Sequence, residues 1–442
     1  MELNKVATPS ALTQTMSRHW PMLDALMGGT LAMRDAGKSF LPQWPAENSD
    51  DYKTRLAVST LYPMLSRTAR VMASKPFSVE SIDLIDFPEK LKLLKTNCDL
   101  LGTDANEFFA DRFLDCLSHG LCGVLVDFNA TSQAKTVAEE KQSGARPYFK
   151  AYNAGSILGF KLENNELSML RLLEKACIDD GEFLEKEVEQ VRVLRVGSWE
   201  TYRKNEKSEW VIFESGFNTF KKIPFVFFYG LKKGFGHGIS PLLELAYQNV
   251  EHWQSSSDQQ NILHVARVPI LFASGIDADD KIVFSASVAA TSGNPSARLA
   301  WVEHSGAAIG AGREAILDLE NRGIASGAEL IVKRSSMVTA TQVNSEDQSN
   351  ACILQNIVEE FEGGVSECIR LAAEHIGIIF VPEVELFKNF AANSIEAATT
   401  ILQAELQGVI SKAEARIELN AKGVFSEIDA EALLPTDGNL NT

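Results

Sequence analysis

The segment between about residues 146 and 230 most limits what this chain can fold into. Its stretches "PYFKAYNA", "LSMLRLLEKA", "VEQVRVLRVGSWETYRK", "EWVIFES" and "KIPFVFFYG" are short, β-rich and separated by polar turns. That pattern predicts an antiparallel meander. Helical patterns flank it on both sides. Strands grouped between helical regions, rather than alternating with helices, place the chain in the α+β class.

Ahead of the meander, residues 9–33 are weakly helical, and Pro42, Pro45 and the polar run "AENSDDY" then break the chain. From Tyr52 to about Ala73, Leu56, Leu61, Leu65, Ala69 and Met72 share one helical face, with Pro63 kinking or dividing it. Two more helices are expected at "PEKLKLLKTNCDLLG" and "DANEFFADRFLDCLSHG", the second capped by Asp104 and stopped at Gly120. "CGVLVDF" reads as a buried strand.

After the meander the chain is helical again. In "SPLLELAYQNVEHWQSSSDQQNILHVA" (240–266), Ser240 is the expected N-cap and Pro241 takes the first helical position. Its stripe of Leu242, Ala246, Asn249, Trp253, Ser256 and Gln260 grows more polar along the helix, which suggests packing against copies of itself around a wet channel. "VPILFASG" is β-like, and a turn-prone Ala/Ser-rich segment and the shorter helix "REAILDLENRGIASGAELI" follow. A long helix is expected over 346–377, with Leu354, Ile357, Phe361, Val365, Ile369, Ala372 and Ile376 on one side. Gly363 and Gly364 in its middle predict a kink.

Acids outnumber bases 59 to 42 in 442 residues, for a net charge of −17. Such a chain does not coat nucleic acid with a basic face, although it can let nucleic acid pass without gripping it. The N-terminus lacks a basic start followed by an apolar run, so no signal peptide is expected. No apolar stretch reaches the roughly 20 residues of a membrane helix. Six scattered cysteines fit a reducing compartment, and folding in the cytoplasm is the expectation.

Two motifs invite chemistry. Ala32–Ser39, "AMRDAGKS", fits a relaxed phosphate-loop pattern. A working loop needs a strand before it and a helix after it, so that backbone N–H groups and the lysine meet the phosphates. Here the preceding residues are helical or loop-like, and Pro42 sits where the following helix should propagate. Cys116, His119 and Cys122 supply three metal ligands at close spacing, but a structural zinc takes four. Both are read as incidental, the cysteines as core thiols. No catalytic site, cofactor or metal is expected.

The order of segments resembles the portal proteins of tailed bacteriophages, and more narrowly a subfamily known only as a domain of unknown function with portal-like character. The resemblance rests on "MRDAGKSFLPQWPAENSDDYKTRL", "SRTARVMASKPF", "FFADRFLDCLSHGLCGVLVDF", "YNAGSIL" and "GISPLLELAYQNVEHWQSSSDQQNILHVARVPILFASG". It continues through "WVEHSGAAIGAGREAILDLENRGIASGAELI", "TATQVNSEDQSNACILQNIVEEFE" and "GVISKAEARIEL", collinear over about 30–420. It implies a homo-oligomeric ring of about twelve copies at one capsid vertex, closed by head-to-tail contacts. Double-stranded DNA is packaged and ejected through that ring. The implied partners are the terminase large subunit, a head–tail adaptor, and the major capsid and scaffolding proteins. The implied location is the portal vertex of the virion, with no membrane.

Carried onto this chain, the resemblance implies a helical then β-rich wing (1–236), a first stem helix (237–265) and a small α/β clip (266–308). A second stem helix (309–331), a tunnel loop (332–344), a kinked tunnel helix (345–378) and a wing return with a short helical crown (379–442) complete it. In the tunnel loop Lys333 and Arg334 stand among Ser335, Ser336, Thr339 and Thr341, a mixture that guides phosphates without capturing them; an ordinary solvated loop is the other reading. Asp277, Asp279, Asp280, Lys281 and Arg298 are the implied clip contacts to motor and adaptor, and Leu242, Ala246, Trp253, Phe361 and Val365 the implied subunit-packing residues. A nucleotide hydrolase built on residues 32–39, or another ring-forming head–tail connector, are the alternatives.

Overall fold

The computed structural model describes residues 5–78, 82, 88–128, 146–181, 183–218, 220–266, 270–275, 296, 298–302, 307–328, 352–380, 382, 384–387 and 411. Helices α1 (Ala11–Met16), α2 (Trp20–Met27), α3 (Gly29–Ala36), α4 (Ser49–Val58), α5 (Met64–Ser74), α6 (Glu89–Thr96) and α7 (Ala105–His119) come first. Strands β1 (Leu121–Phe128), β2 (Pro147–Asn153), β3 (Ile157–Glu163), β4 (Glu166–Asp179) and β5 (Glu185–Arg195) follow. Next are β6 (Ser198–Lys204), β7 (Trp210–Phe217), β8 (Phe225–Tyr229), β9 (Leu231–Gly234) and β10 (His237–Ile239). The chain continues with α8 (Leu243–Ala266), β11 (Ile270–Ser274), β12 (Arg298–Val302), α9 (Ala307–Ala328) and α10 (Ile353–His375). This is a mixed α+β protein.

The chain divides into two compact units. The first contains residues 1–23, 65–244 and 326–442, and the second 24–64 and 245–325. The wing expected as one stretch over 1–236 is therefore interrupted: residues 24–64 fold with the stem and clip segments instead.

In the first unit the expected meander is present as an antiparallel sheet in the order β3-β4-β5-β6-β7. A second antiparallel sheet, β2-β1-β8, takes the strand expected at "CGVLVDF" into its centre. Asp104 caps α7 by accepting from the Glu107 N–H at 2.9 Å. Gly120 ends that helix at φ +84°. A side chain there would also collide with the backbone of Ile239 and Ser240, so the site requires glycine twice over.

Helix α10 packs on β8 and β1 through an aromatic core. The Phe361 ring lies 5.0 Å from Phe113 and 4.6 Å from Phe228, all three being buried. The helix runs unbroken through Gly363 and Gly364. One of the paired glycines also serves packing. A Cβ on Gly364 would lie 2.6 Å from Phe228, so the missing side chain lets sheet and helix close together, while Gly363 faces open space.

Between the two sheets lies a network of buried charge. Glu174 accepts from Tyr152 Oη, from Lys150 Nζ at 3.0 Å and from Gln190 Nε2 at 2.6 Å, and forms an ion pair with Arg192, whose Nε lies 2.9 Å away. Arg192 reaches on to Asp127 at 3.0 Å. Burial pushes the Glu174 pKa up, but Arg192, Lys150 and the hydrogen bonds bring it below the usual carboxylate range. A buried charge is tolerable when it is this fully partnered.

The divided helix expected around Pro63 appears as α4, in the second unit, and α5, which belongs to the first unit from Leu65 on. The helix expected as the first stem helix over 237–265 is α8, which runs over 243–266, because residues 241–242 form a turn after Ser240 accepts from the Leu242 N–H. The helix expected over 309–331 is α9, which begins at Ala307 and takes in the Ala/Gly run before Arg313. Between them β11 and β12 pair antiparallel from Ile270↔Val302 to Ser274↔Arg298. The tunnel loop 332–344 lies outside the described residues, as does nearly all of 379–442.

Candidate helix–hairpin–helix site

The second unit is organised by the polar side chains of α8. Asn249 Nδ2 donates to the Tyr62 carbonyl at 2.8 Å, Gln254 Nε2 to that of Phe40 at 3.0 Å, and Gln259 Nε2 to that of Ile309 at 2.9 Å. Two of these carbonyls lie in loops, where no helix or sheet supplies a donor. His252 Nε2 stands 3.3 Å from Glu320, which ties α8 to α9. The polar drift that suggested a wet channel along Asn249, Trp253, Ser256 and Gln260 is corrected accordingly. Asn249 and Trp253 are fully buried and Asn249 bonds within its own chain, whereas Gln260, further along the stripe, is exposed.

Arg55 is the hub beside α8. Its guanidinium makes a two-pronged pair with Glu47 at 2.7 and 2.8 Å. It also donates to the Pro42 carbonyl at 2.8 Å and to Ser257 Oγ at 3.4 Å. It stacks 4.2 Å from the Trp44 ring centre. Arg55 and Glu47 side chains are 3% and 5% exposed, so the pair is removed from water. The hydrogen bond from Arg55, working against burial, holds the Glu47 carboxyl below its ordinary range. Asn48 caps α4 by accepting from the N–H groups of Asp50 and Asp51. Sequence reasoning found the break at "AENSDDY" but not this pair, because nothing in an eight-residue spacing across a cap announces an ion pair.

Next to the hub lies an open groove of about 710 Å³ between α4 and the C-terminal half of α8. Trp44, Asp51, Val58, Gln260, Leu263 and His264 are among its walls. On the face of α8 opposite its buried side, Glu244, Glu251 and Asp258 stand seven residues apart. A seven-residue step returns to nearly the same side of a helix, so the three form an acidic column.

The phosphate-loop pattern does not build a cradle. Ala32–Ala36 are the end of α3, Gly37–Ser39 form a single tight turn, and no strand precedes them. Lys38 Nζ lies 5.5 Å from the centre of the Tyr52 ring. Cys116 and Cys122 are buried free thiols with sulfurs 3.5 Å apart, while His119 bonds Ser118. No metal-binding cluster occurs among the described residues.

Of the implied site residues, Arg298 is exposed on β12. Asp277, Asp279, Asp280 and Lys281, and the loop residues Lys333, Arg334, Ser335, Ser336, Thr339 and Thr341, lie outside the described residues. Leu242, Ala246, Trp253, Phe361 and Val365 are all buried within the chain itself, at 1% exposure or less. Side chains a single copy already buries cannot form the surface that a second copy meets. The periodicity that marked them reports the core of each unit.

Residues 241–376 match DUF4055, a domain of unknown function. The matched span starts two residues before α8 and ends one residue after α10, so it holds α8, the hairpin, α9 and α10. No curated protein matches the chain. Among solved structures, a chain in the "neck of empty GTA particle computed with C6 symmetry" is similar at 11% identity and a TM-score of 0.42, over 86% of this chain and 95% of that one. A chain in the neck of the native GTA particle with C12 symmetry is similar at 12% identity and a TM-score of 0.41, over 88% and 98%. One in the virion of the native gene transfer agent particle gives 11% and 0.39, over 90% and 98%. TM-scores of this size do not establish a common fold. Among the described residues, no helix is long and apolar enough to cross a membrane.

Proposed function

We propose that the chain is a portal-type subunit: copies assemble into a ring at a capsid vertex, through which double-stranded DNA is packaged and ejected. The ring docks a separate packaging motor and later a tail adaptor, and the subunit does no chemistry itself. The observation that carries the reading is the arrangement α8–hairpin–α9 with an acidic column along α8. A conduit must hold the duplex without gripping it, because every neutralised phosphate adds affinity and drag. Glu244 and Glu251, the exposed members of that column, repeated around a ring, repel phosphate and keep DNA sliding.

The segment order supports the same reading. A helical and β-rich body, two consecutive long helices joined by a hairpin, a loop of hydroxyl and basic residues, and another long helix follow one another as in portal proteins. In this reading the loop at 332–344 is the narrowest point, and the hairpin with Arg298 faces motor and adaptor.

Averaged electron micrographs of the purified protein, viewed down the symmetry axis, test it. The expected image is a closed ring with a central hole; discrete monomers at micromolar concentration would refute the proposal. DNA packaging reconstituted with the motor separates a portal from another ring-forming connector, since only a portal supports it. Lys38→Ala is expected to leave packaging unchanged, and an intrinsic ATPase abolished by that substitution would favour the hydrolase instead.

A further inference from the structure

The groove beside Arg55 has a shape and chemistry that α8 and α4 do not themselves fill. Its volume of about 710 Å³ is that of several large side chains. Trp44 and Val58 stand on it 37% and 58% exposed, so its walls offer apolar surface to water. Its charged fittings are already satisfied: Arg55 is held by Glu47 and Pro42, so no buried charge waits for a small ion. What remains open at the rim is acidic, namely Asp51, exposed, and Asp258, 46% exposed and 3.8 Å from Arg55.

A matching surface occurs on α9. At about 100° per residue, Arg313, Leu317 and Ile324 fall within one narrow sector of the helix. Leu317 is 46% and Ile324 66% exposed, and Arg313 is exposed at the N-terminal end of the same stripe. Apolar residues one and three turns from an arginine are the complement of an apolar groove with an acidic rim. The neighbouring flank of α9 is committed to its own chain. Gly323 lies so close to Met64 that a Cβ there would sit 2.7 Å from its sulfur, and Glu320 faces His252. Helix α9 is therefore fixed beside its own α8, with the stripe of Arg313, Leu317 and Ile324 left exposed.

We propose that the groove receives α9 of a neighbouring copy, seated by Leu317 and Ile324 and oriented by Arg313 against Asp51 and Asp258. This inference rests on the ring reading given above and names the contact that would build the ring. Donor and acceptor surfaces differ, so the contact is head-to-tail, the type that closes into a ring rather than stopping at a dimer.

The test combines two single-cysteine subunits, Val58→Cys and Leu317→Cys, each carrying Cys177→Ser to remove the exposed native thiol. They are mixed, allowed to assemble and treated with a short bis-maleimide. The expected product is a heterodimer that neither subunit gives alone. In parallel, Leu317→Asp and Ile324→Asp are each expected to lower the ring fraction at least about tenfold, the loss typical of an interface anchor. Their circular dichroism should match the wild type, because both side chains are exposed. Wild-type rings with no cross-link, and with ring fractions unchanged in both aspartate variants, would overturn the groove assignment while leaving the ring reading intact. A wild type that forms no ring overturns both. The cysteine pair keeps the test decisive if an aspartate variant misfolds.

Discussion

Arg55 offers the sharpest test of how the second unit is held together. Substitution by Met keeps the aliphatic stem against Trp44 and removes the guanidinium, leaving Glu47 5% exposed with its two-pronged partner gone. Breaking a buried ion pair from one side costs about 3–5 kcal/mol, because the remaining charge must be desolvated alone. Trp44 is 37% exposed and is a thin lid over the pair, so the lower end, about 3 kcal/mol, applies here. At about 1.36 kcal/mol per decade, amides of α4 and of the facing half of α8 should exchange with solvent roughly a hundredfold faster. Glu47→Leu together with Arg55→Met removes both charges and should recover all but about 1 kcal/mol, the residue reflecting the Pro42 carbonyl and Trp44 N–H left without partners. Native-state hydrogen exchange on the four proteins of this double-mutant cycle measures it. A double variant as unstable as the sum of the singles would show that the pair does not act as a unit, and the hub would be a packing feature only.

Other outcomes follow from positions already described. Gly364→Ala should destabilise by about 1–3 kcal/mol through collision with Phe228, whereas Gly363→Ala should stabilise by up to about 1 kcal/mol; thermal unfolding of the two separates packing from helix propensity. Glu174→Ala strands Arg192 between the sheets and should cost several kcal/mol, read by urea unfolding, with Glu174→Gln milder because it keeps an acceptor. Burial lowers the His375 pKa to about 4, so the folded state resists protonation. Stability of the first unit should therefore be full above about pH 6.5 and fall as pH drops toward 4, since the unfolded chain binds the extra proton throughout that window. His375→Phe should flatten that slope in thermal scans between those pH values.

The parts of the fold legible in the sequence were those governed by local chemistry. The meander announced itself through short β-rich runs and polar turns, and α7 through Asp104 and Gly120, whose roles depend on neighbours a few residues away. The division at Pro63 was legible for the same reason. What the sequence could not show were pairings across long separations. Residues 24–64 join the second unit through contacts such as Asn249 with Tyr62, 187 residues apart, and no periodicity encodes them. The polar stripe of α8 was correctly seen as unusual and assigned to the wrong partner, because a buried amide looks the same in sequence whether it faces water or a carbonyl. The packing use of Gly364 was likewise out of reach, since a close approach by Phe228 is invisible until the sheet is placed. The acidic column and the groove depend on which side of α8 is covered, and that too is decided only by packing.

The amides of α8 have one more consequence. Asn249, Gln254 and Gln259 each meet a carbonyl on a separate segment, at Tyr62, Phe40 and Ile309. They work like the teeth of a comb, all engaged or all disengaged. Inserting one residue early in α8 would rotate every later tooth by about 100° and lift it about 1.5 Å out of step. Side-chain adjustment could rescue one tooth but not three. Helix α8 can therefore accept many single substitutions on its outer face yet tolerate no change of length, and any movement it makes must carry its attached loops along as one body.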